Sequence, residues 1–575
     1  MKSSLALLVL LPLLAASPAW GQRLRPVAPG RLPEGPGPVG TTLRLTPPPP
    51  VPEKSRRRAG AARPAPDSAA PAQTARLELR LSEAENEVHV QPLAADSSVV
   101  VLIGQDAQGG RDDGFYFQHY AADLRRRREV PVAVPPEFRF VRLCAEARVV
   151  YALFSSRDQP GRLWAVAYDA VGGQLRTQLF ETKLSREVVE LRAVEGSLFA
   201  TVVLTDATHL TALLLNVATG QFRFLASIYE PLPTQLSFEA DERTGKAAYV
   251  LSQNNGRKAR LQLKQLGTNG QLLGAEVVQA ESERNLLTAQ LSPLADSSAR
   301  LLAGTYSLRE LSYAQGLFAT DLRLPATVPA GTAPAALARA PLRFYDFLRF
   351  KHFFDFLKPR REQRLRQRAA RRQQQALAPL RWRYRLLLHP MQPLPGGGFV
   401  LTAEVYYPHY RYNNYGPSMG LASAGTYAGY PGYSYYGGNR SFDGYSTSHA
   451  VICGFASDGT LLWDNSYVVK DLRRYELTEA IRQAPLPDGR LVLAYLQDDE
   501  LHYKIVSQAA PSANDLLVPL QTSSTGTGEK SFDASATDLQ PWFGTTFVAS
   551  GFQHVRPEGG VAEREVFFLN KVTFK

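Results

Sequence analysis

Cysteine is almost absent from this sequence: there are two in 575 residues, alongside three methionines and nine histidines. So few thiols exclude a disulfide-stapled scaffold and a cysteine-rich zinc protein, and the fold has to stand on a large hydrophobic core. Long apolar runs are missing as well. Past the N terminus, Arg, Gln or Asp breaks every hydrophobic stretch within about ten residues, well short of the ~20 that a membrane-spanning helix needs. A hydrophobic content of 44% is nevertheless too high for wholesale disorder, and the length is too great for one ordinary domain.

Catalytic and metal-binding spacings are equally scarce. There is no H-E-x-x-H, no Cys/His metal spacing and no EF-hand, and Asp112-Asp113 and Asp498-Asp499-Glu500 read as solvated turn residues. Two motif matches fail on context. Gly35, Gly37 and Gly40 have the dinucleotide spacing, but Pro36 and Pro38 fill the gaps, with no strand before them and no helix after. Gly416-Pro417-Ser418-Met419-Gly420 has the nucleophile-elbow spacing, but it lies among glycines and tyrosines instead of between a strand and a helix. His409 and His449 read as structural residues at the base of a hairpin. No catalytic residue, metal ligand or cofactor site is therefore assigned.

At the N terminus, Lys2 precedes an apolar run from Leu5 to Leu14 and the sequence Ala19-Trp20-Gly21. This is the pattern of a secretory signal peptide over residues 1–21, cut before Gln22, and it predicts an exported protein, periplasmic or extracellular. Residues 22–75 are rich in Pro, Ala and Arg, including Pro47 to Pro50 in a row, and read as a disordered linker.

The remainder, residues 76–575, repeats. Runs rich in Val, Leu, Tyr and Phe come in pairs separated by polar turns. Eight such hairpins begin near Ser97, Arg148, Ser197, Lys246, Ala299, Gly398, Arg490 and Thr546. Most intervals are about fifty residues; the two that are roughly doubled each contain an insertion. Glycine turns recur at the ends of the pairs, as in Asp169 to Gly173, Asn216 to Gly220, Gly267 to Gly270 and Asp458-Gly459. There Asp or Asn can bond its own backbone and Gly can take a positive φ.

A repeat of four short strands in about fifty residues has the dimensions of a propeller blade. The turns Asn216-Val217-Ala218-Thr219-Gly220-Gln221-Phe222 and Ser457-Asp458-Gly459-Thr460-Leu461-Leu462-Trp463 resemble blade-end turns of the β-propeller superfamily, in its quinoprotein-like and outer-membrane-assembly scaffold members. The resemblance implies an all-β ring of four-stranded blades, and the eight hairpins, at about fifty residues each once the insertions are set aside, make it about eight. Residues near Arg76 to Leu81 would complete the last blade beside the strand ending at Phe574, so that no sheet edge is left open. Seven blades, or an array of β-sandwiches, are the alternatives. In an eight-blade ring Cys144 and Cys453 fall on opposite sides, too far apart to pair, and both are expected to be free and buried.

Two insertions carry the recognition chemistry. The first, at about 325–380, combines an aromatic segment from Leu342 to Leu357 with a basic one after Pro359. Their spacing predicts two helices. Phe347, Phe350, Phe354, Arg360, Arg361, Arg364 and Arg368 are candidates for contact with a partner or with an anionic membrane surface. The second, at about 406–447, holds 11 of the 25 tyrosines among glycines and serines. Tyr406, Tyr407, Tyr410, Arg411, Tyr412, Tyr415, Tyr435 and Tyr436 are its candidate binding residues, suited to glycan, peptide or protein surfaces.

The formal net charge of +12 is concentrated in two places. Gln22 to Pro66 carries nine Lys or Arg against two Glu, and Lys358 to Arg372 carries eight against one, so the rest of the chain is slightly acidic. That distribution argues against a nucleic-acid-binding body and for local anionic contacts. The function expected is a non-enzymatic binding or scaffolding module of the cell envelope, with an envelope protein or glycan as partner. The alternative is a propeller hydrolase or lyase acting on cell-surface glycans.

Overall fold

The computed structural model describes residues 71–575, apart from 106–113, 184, 232–234, 242–245, 281–282, 294–298, 324–337, 340, 413–439, 523–528 and 558–562. Residues 1–21, read as a signal peptide, most of the Pro/Arg-rich segment, Asp112-Asp113, Tyr415, Tyr435 and Tyr436 lie outside the described residues.

Eight antiparallel sheets follow one another along the chain, each with four strands on its main path. The eight hairpins of the sequence are the second and third strands of these sheets. The second strands run Ser98–Gln105, Val149–Ser156, Ser197–Leu204, Lys246–Asn254, Ala299–Ser307, Phe399–Tyr412, Leu491–Gln497 and Thr546–Pro557. Neighbouring blades cover such a strand on both sides, which is why it reads as a continuous apolar run: Ser98 through Gly104 are all buried.

Among the described residues the core divides into eight hydrophobic clusters, and each straddles two consecutive blades. Leu93, Phe117 and Phe154 join the first blade to the second; Val90, Val101 and Leu569 join the eighth to the first. Eight interfaces for eight blades is the signature of a closed ring, and it decides against both seven blades and a row of sandwiches.

Closure is by the N-terminal strand. Ala72–Leu79 pairs antiparallel with Arg564–Thr573 as the outer strand of the eighth blade, in the register Arg76 to Asn570 and Leu77 to Leu569. It starts four residues ahead of the boundary read at Arg76, because Ala72 and Gln73 already pair with Thr573 and Val572. The Arg76 side chain is buried in this seam. It reaches Glu78 at 2.8 Å, Asn570 at 3.0 Å and Gln553 at 2.9 Å, and lies over the Phe568 ring.

The turn chemistry is as expected. Gly173, Gly220, Gly270 and Gly459 have φ of 70°, 71°, 76° and 82°. Asn216 Oδ1 accepts from the Ala218 and Thr219 N–H groups, and Asp458 Oδ1 accepts from Thr460 N–H. Cys144 and Cys453 are free and buried, in the interfaces between blades two and three and between blades five and six.

One expectation is corrected. Leu342 to Leu357 is not a helix. Arg343–Asp346 is a short strand on the edge of the fifth blade, followed by a single 3-10 turn, Phe347–Arg349, which Asp346 caps by accepting from Leu348 N–H. The chain then coils into a plug between blades five and six, in which Phe347, Phe350, Phe353 and Phe354 have 0% exposure. A helix has one face to bury; with phenylalanines all round, the segment gains more by folding on itself and filling an inter-blade gap. The basic segment is helical, as predicted: α1 spans Pro359–Gln374, with proline at its first position.

Candidate functional site

Strands alternate in direction within each blade, so the loops joining second to third strands and the linkers between blades share one face of the ring, called here the upper face. Both insertions emerge there, at the sixth blade. In that blade the hairpin strands are unusually long, Phe399–Tyr412 and Arg440–Phe455, and they extend past the end of the inner strand Arg385–Leu388, which pairs no further than Tyr406.

The projecting hairpin has two unlike faces. On one, Tyr406 meets Tyr445 edge-on at 5.7 Å, Tyr445 meets Phe442 at 5.1 Å, and Phe442 meets Tyr410 at 6.0 Å, making a continuous aromatic ladder. On the other, Asp443 holds His409 at 3.4 Å and Arg411 at 3.3 Å. Gly444 has a φ of +95°, and a Cβ there would lie 2.5 Å from the Arg474 carbonyl, so the hairpin presses against the linker that carries Tyr475. Tyr407, Phe442 and Tyr475 are 50%, 51% and 80% exposed, a large apolar area for one small region.

The first insertion packs against the base of this hairpin. Phe356 stacks on His449 with centroids 4.3 Å apart, and Phe353 meets the same imidazole edge-on at 5.2 Å. Asp464 of the sixth blade accepts from the Lys351 and His352 N–H groups. Tyr384 sits against Phe353 and within electrostatic reach of both Arg361 on α1 and Tyr407 on the hairpin; burial, only partly opposed by Arg361, pushes its phenol up to about 12. The two insertions therefore pack together at the base of the hairpin.

Arg366 fastens α1 to the plug. It pairs with Glu362 at 2.8 Å, donates to the carbonyls of Leu348, Phe350 and Lys351, and lies over the Phe354 ring. Leu365 packs into the core beside it. Arg360, Arg361, Arg364, Arg368 and Arg371 are left exposed, and no ion pair to them is found among the described residues. Four arginine candidates thus lie where contact is possible, whereas Phe347, Phe350 and Phe354 are withdrawn into the core and offer no surface to a partner or a bilayer. Tyr406, Tyr407, Tyr410 and Arg411 all stand on the hairpin, and Tyr412 lies in its strand.

A buried ion pair braces the site from below. Glu404, on the second strand of the sixth blade, lies 2.8 Å from His389 Nε2 and accepts from the Ala480 and Ile481 N–H groups at 2.8 Å each and from Thr447 Oγ1 at 3.2 Å. It ties the inner strand, the hairpin base and the linker to blade seven together. Burial disfavours both charges, but each partner sustains the other, so His389 is raised and Glu404 lowered from their ordinary values. His449 has no such partner, and burial alone depresses its imidazole pKa to about 3. Phe442, Tyr475, Tyr384 and this carboxylate–imidazole pair escape sequence reading, because only the fold brings them beside the tyrosine segment.

The channel has charges of its own. Arg482 on the seventh blade pairs with Glu479 at 3.2 Å and with Asp538 of the eighth at 3.6 Å, and donates to the Leu539 carbonyl. Arg192, on the inner strand of the opposite blade, pairs with Glu190 at 3.1 Å and keeps its side chain open to the channel's solvent; its surroundings in the ring disfavour its charge, but Glu190 and Glu479 outweigh them and hold its pKa up. Each of these arginines is thus paired with carboxylates. The nearby Cys144 thiol is pushed up to about 12 by burial, which leaves it un-ionised and unreactive at neutral pH. No cluster of metal-ligating side chains occurs among the described residues.

No protein-family model and no curated protein matches the chain. Among solved structures, it is similar to the polysaccharide lyase Uly1, at 7% identity and a TM-score of 0.36, covering 75% of this chain and 89% of that one. It is also similar to the β-propeller domain of the Trilobed protease from Pyrococcus furiosus, at 8% identity and a TM-score of 0.32, covering 76% and 94%. A chain from a structural and mechanistic analysis of two prolyl endopeptidases matches at 9% identity and a TM-score of 0.34, over 83% of this chain and 54% of that one.

Proposed function

We propose that this chain is an exported, non-enzymatic binding module of the cell envelope, and that it captures its partner on the upper face of the sixth blade. The observation that supports this reading most is the meeting of the two insertions. Exposed Tyr407 and Phe442 on a braced hairpin, with Tyr475 on the linker against it, belong to the same face as a helix whose outward guanidiniums have no ion pair among the described residues. Rigid aromatic groups with little side-chain entropy to lose, next to unneutralised cations, make a recognition surface. Export rests on the signal-peptide pattern of Lys2 and the run from Leu5 to Leu14.

Capture from envelope extract tests the reading. The intact chain is compared with a Tyr407→Ser/Phe442→Ser/Tyr475→Ser variant and an Arg360→Gln/Arg364→Gln/Arg368→Gln/Arg371→Gln variant. All seven side chains are exposed or sit on the exposed helix, so both variants should fold. Capture is expected to fall severalfold in each; unchanged capture in both contradicts the proposal. The rival hydrolase or lyase would draw on the channel charges. It predicts release of reducing ends from envelope glycan that Glu479→Gln abolishes and the surface variants leave intact.

A further inference from the structure

The partner's chemistry follows from the outward side of α1. Arg360, Arg364, Arg368 and Arg371 succeed one another at steps of four, four and three residues, which places them in a single line along the helix, with Arg361 flanking its start. At about 1.5 Å per residue the line is roughly 16 Å long, with one guanidinium to about every helical turn. Glu362, the one acidic residue of α1, faces Arg366 on the docked side and does not neutralise the line. The N-terminal end, where Arg361 lies, is within electrostatic reach of Tyr384, which is itself within reach of Tyr407, and there the helix dipole adds to the positive field.

We infer that this line is the track for an acidic polysaccharide, a chain with one carboxylate or sulfate to each sugar or disaccharide. This inference rests on the reading of the blade-six surface as the binding site. A guanidinium fork takes a carboxylate or sulfate through two parallel hydrogen bonds, and a regular polyanion repeats that contact from turn to turn. On the neighbouring hairpin, the half-exposed Tyr407 ring offers a flat apolar face and a hydroxyl to a sugar ring, so a glycan that spans helix and hairpin is read as carbohydrate as well as charge.

A lipid surface fits less well. Anchoring a basic helix to a bilayer needs apolar side chains on that element that enter it; Phe347, Phe350, Phe353 and Phe354 are locked between blades five and six, and the exposed rings of Tyr407, Phe442 and Tyr475 stand on the hairpin and the linker beside it, not on α1. The outward line of the helix is wholly cationic. A nucleic acid would meet the same charges, but the signal-peptide pattern directs the chain away from the cytoplasm.

The test is a calorimetric titration of the full chain with polygalacturonate, its fully methyl-esterified and therefore neutral counterpart, dextran sulfate, phosphatidylglycerol vesicles and single-stranded oligothymidylate. The inference expects polygalacturonate or dextran sulfate to bind and the ester to fail. Affinity should fall with rising salt and drop by about tenfold or more in the four-arginine Gln variant, with Arg→Lys at the same positions intermediate, because the charge remains and the fork is lost. Tyr407→Ser should weaken the acidic glycan without altering its salt dependence. Equal binding of the ester, indifference to the four arginines, or tighter binding of vesicles or oligothymidylate overturns the inference. If no acidic glycan binds while capture from envelope extract still requires both surfaces, the polysaccharide is wrong and the binding site stands. If capture survives loss of both surfaces, the site itself is wrong.

Discussion

His389 and His449 lie in the same blade yet respond to acid in opposite senses, and the difference is the company each keeps. His389 faces Glu404, so its pKa is raised; its contribution to stability is complete below about pH 6.5 and is lost as pH rises through the raised value. Glu404, held low, contributes above its ordinary value and loses its effect as pH falls through the depressed one. His449 is buried against Phe353 and Phe356 with its Nε2 unbonded, so the unfolded chain takes up its proton first. Stability therefore falls as pH drops from about 6.5 towards 3. Replacing the imidazole with a ring of similar shape removes that liability. His449→Phe is expected to leave the melting temperature nearly unchanged at pH 7.5 and to gain about 2 kcal/mol over the natural chain by pH 5. Parallel melting curves across that range would show His449 to be solvated or paired. None of this was legible in the sequence, where His449 read only as a structural residue at the base of a hairpin and nothing marked His389 as the partner of Glu404.

At the scale of elements, the hairpins were legible and the aromatic segment was not, for related reasons. A strand covered by blades on both sides must be apolar at consecutive positions, and Ser98 to Gly104 or Leu491 to Leu496 show it directly. The same criterion misleads at Leu342 to Leu357, where apolar positions 344, 347, 348 and 354 fit one helical face although burial comes from a folded plug. The plug also serves the hairpin, because it supplies the rings that cradle His449. Phe353→Ala is accordingly expected to cost about 3–5 kcal/mol in urea unfolding, whereas the four exposed arginines of α1 should together change stability by less than about 1 kcal/mol. A small effect at Phe353 would mean that the plug is dispensable to the ring.

For the whole molecule, the sequence carries the blade count through its repeat and the closing strand through the apolar alternation after Arg76, while blade-to-blade contacts and the channel depend on tertiary geometry. Closure by Ala72–Leu79 makes the ring a single cooperative unit whose seam is held by buried Arg76. Arg76→Ala leaves Glu78 with Arg564 at 2.7 Å but strips Asn570 and Gln553 of a donor, so a loss of roughly 3 kcal/mol is expected, seen as a lower urea midpoint with one transition. Two separate transitions would show that the seam is not what couples the first blade to the last.

The same ring fixes two competing places for function, the central channel and the upper face of the sixth blade, and the claim made here is for the second. Hydrogen exchange of the full chain with and without saturating polygalacturonate separates them most directly. The account predicts protection at Pro359–Gln374 and at the hairpin residues Tyr406 to Tyr410 and Phe442 to Ser446, with the inner strands unchanged. Protection confined to the inner strands around Arg192, Glu479 and Arg482, or none on the sixth blade, would contradict it.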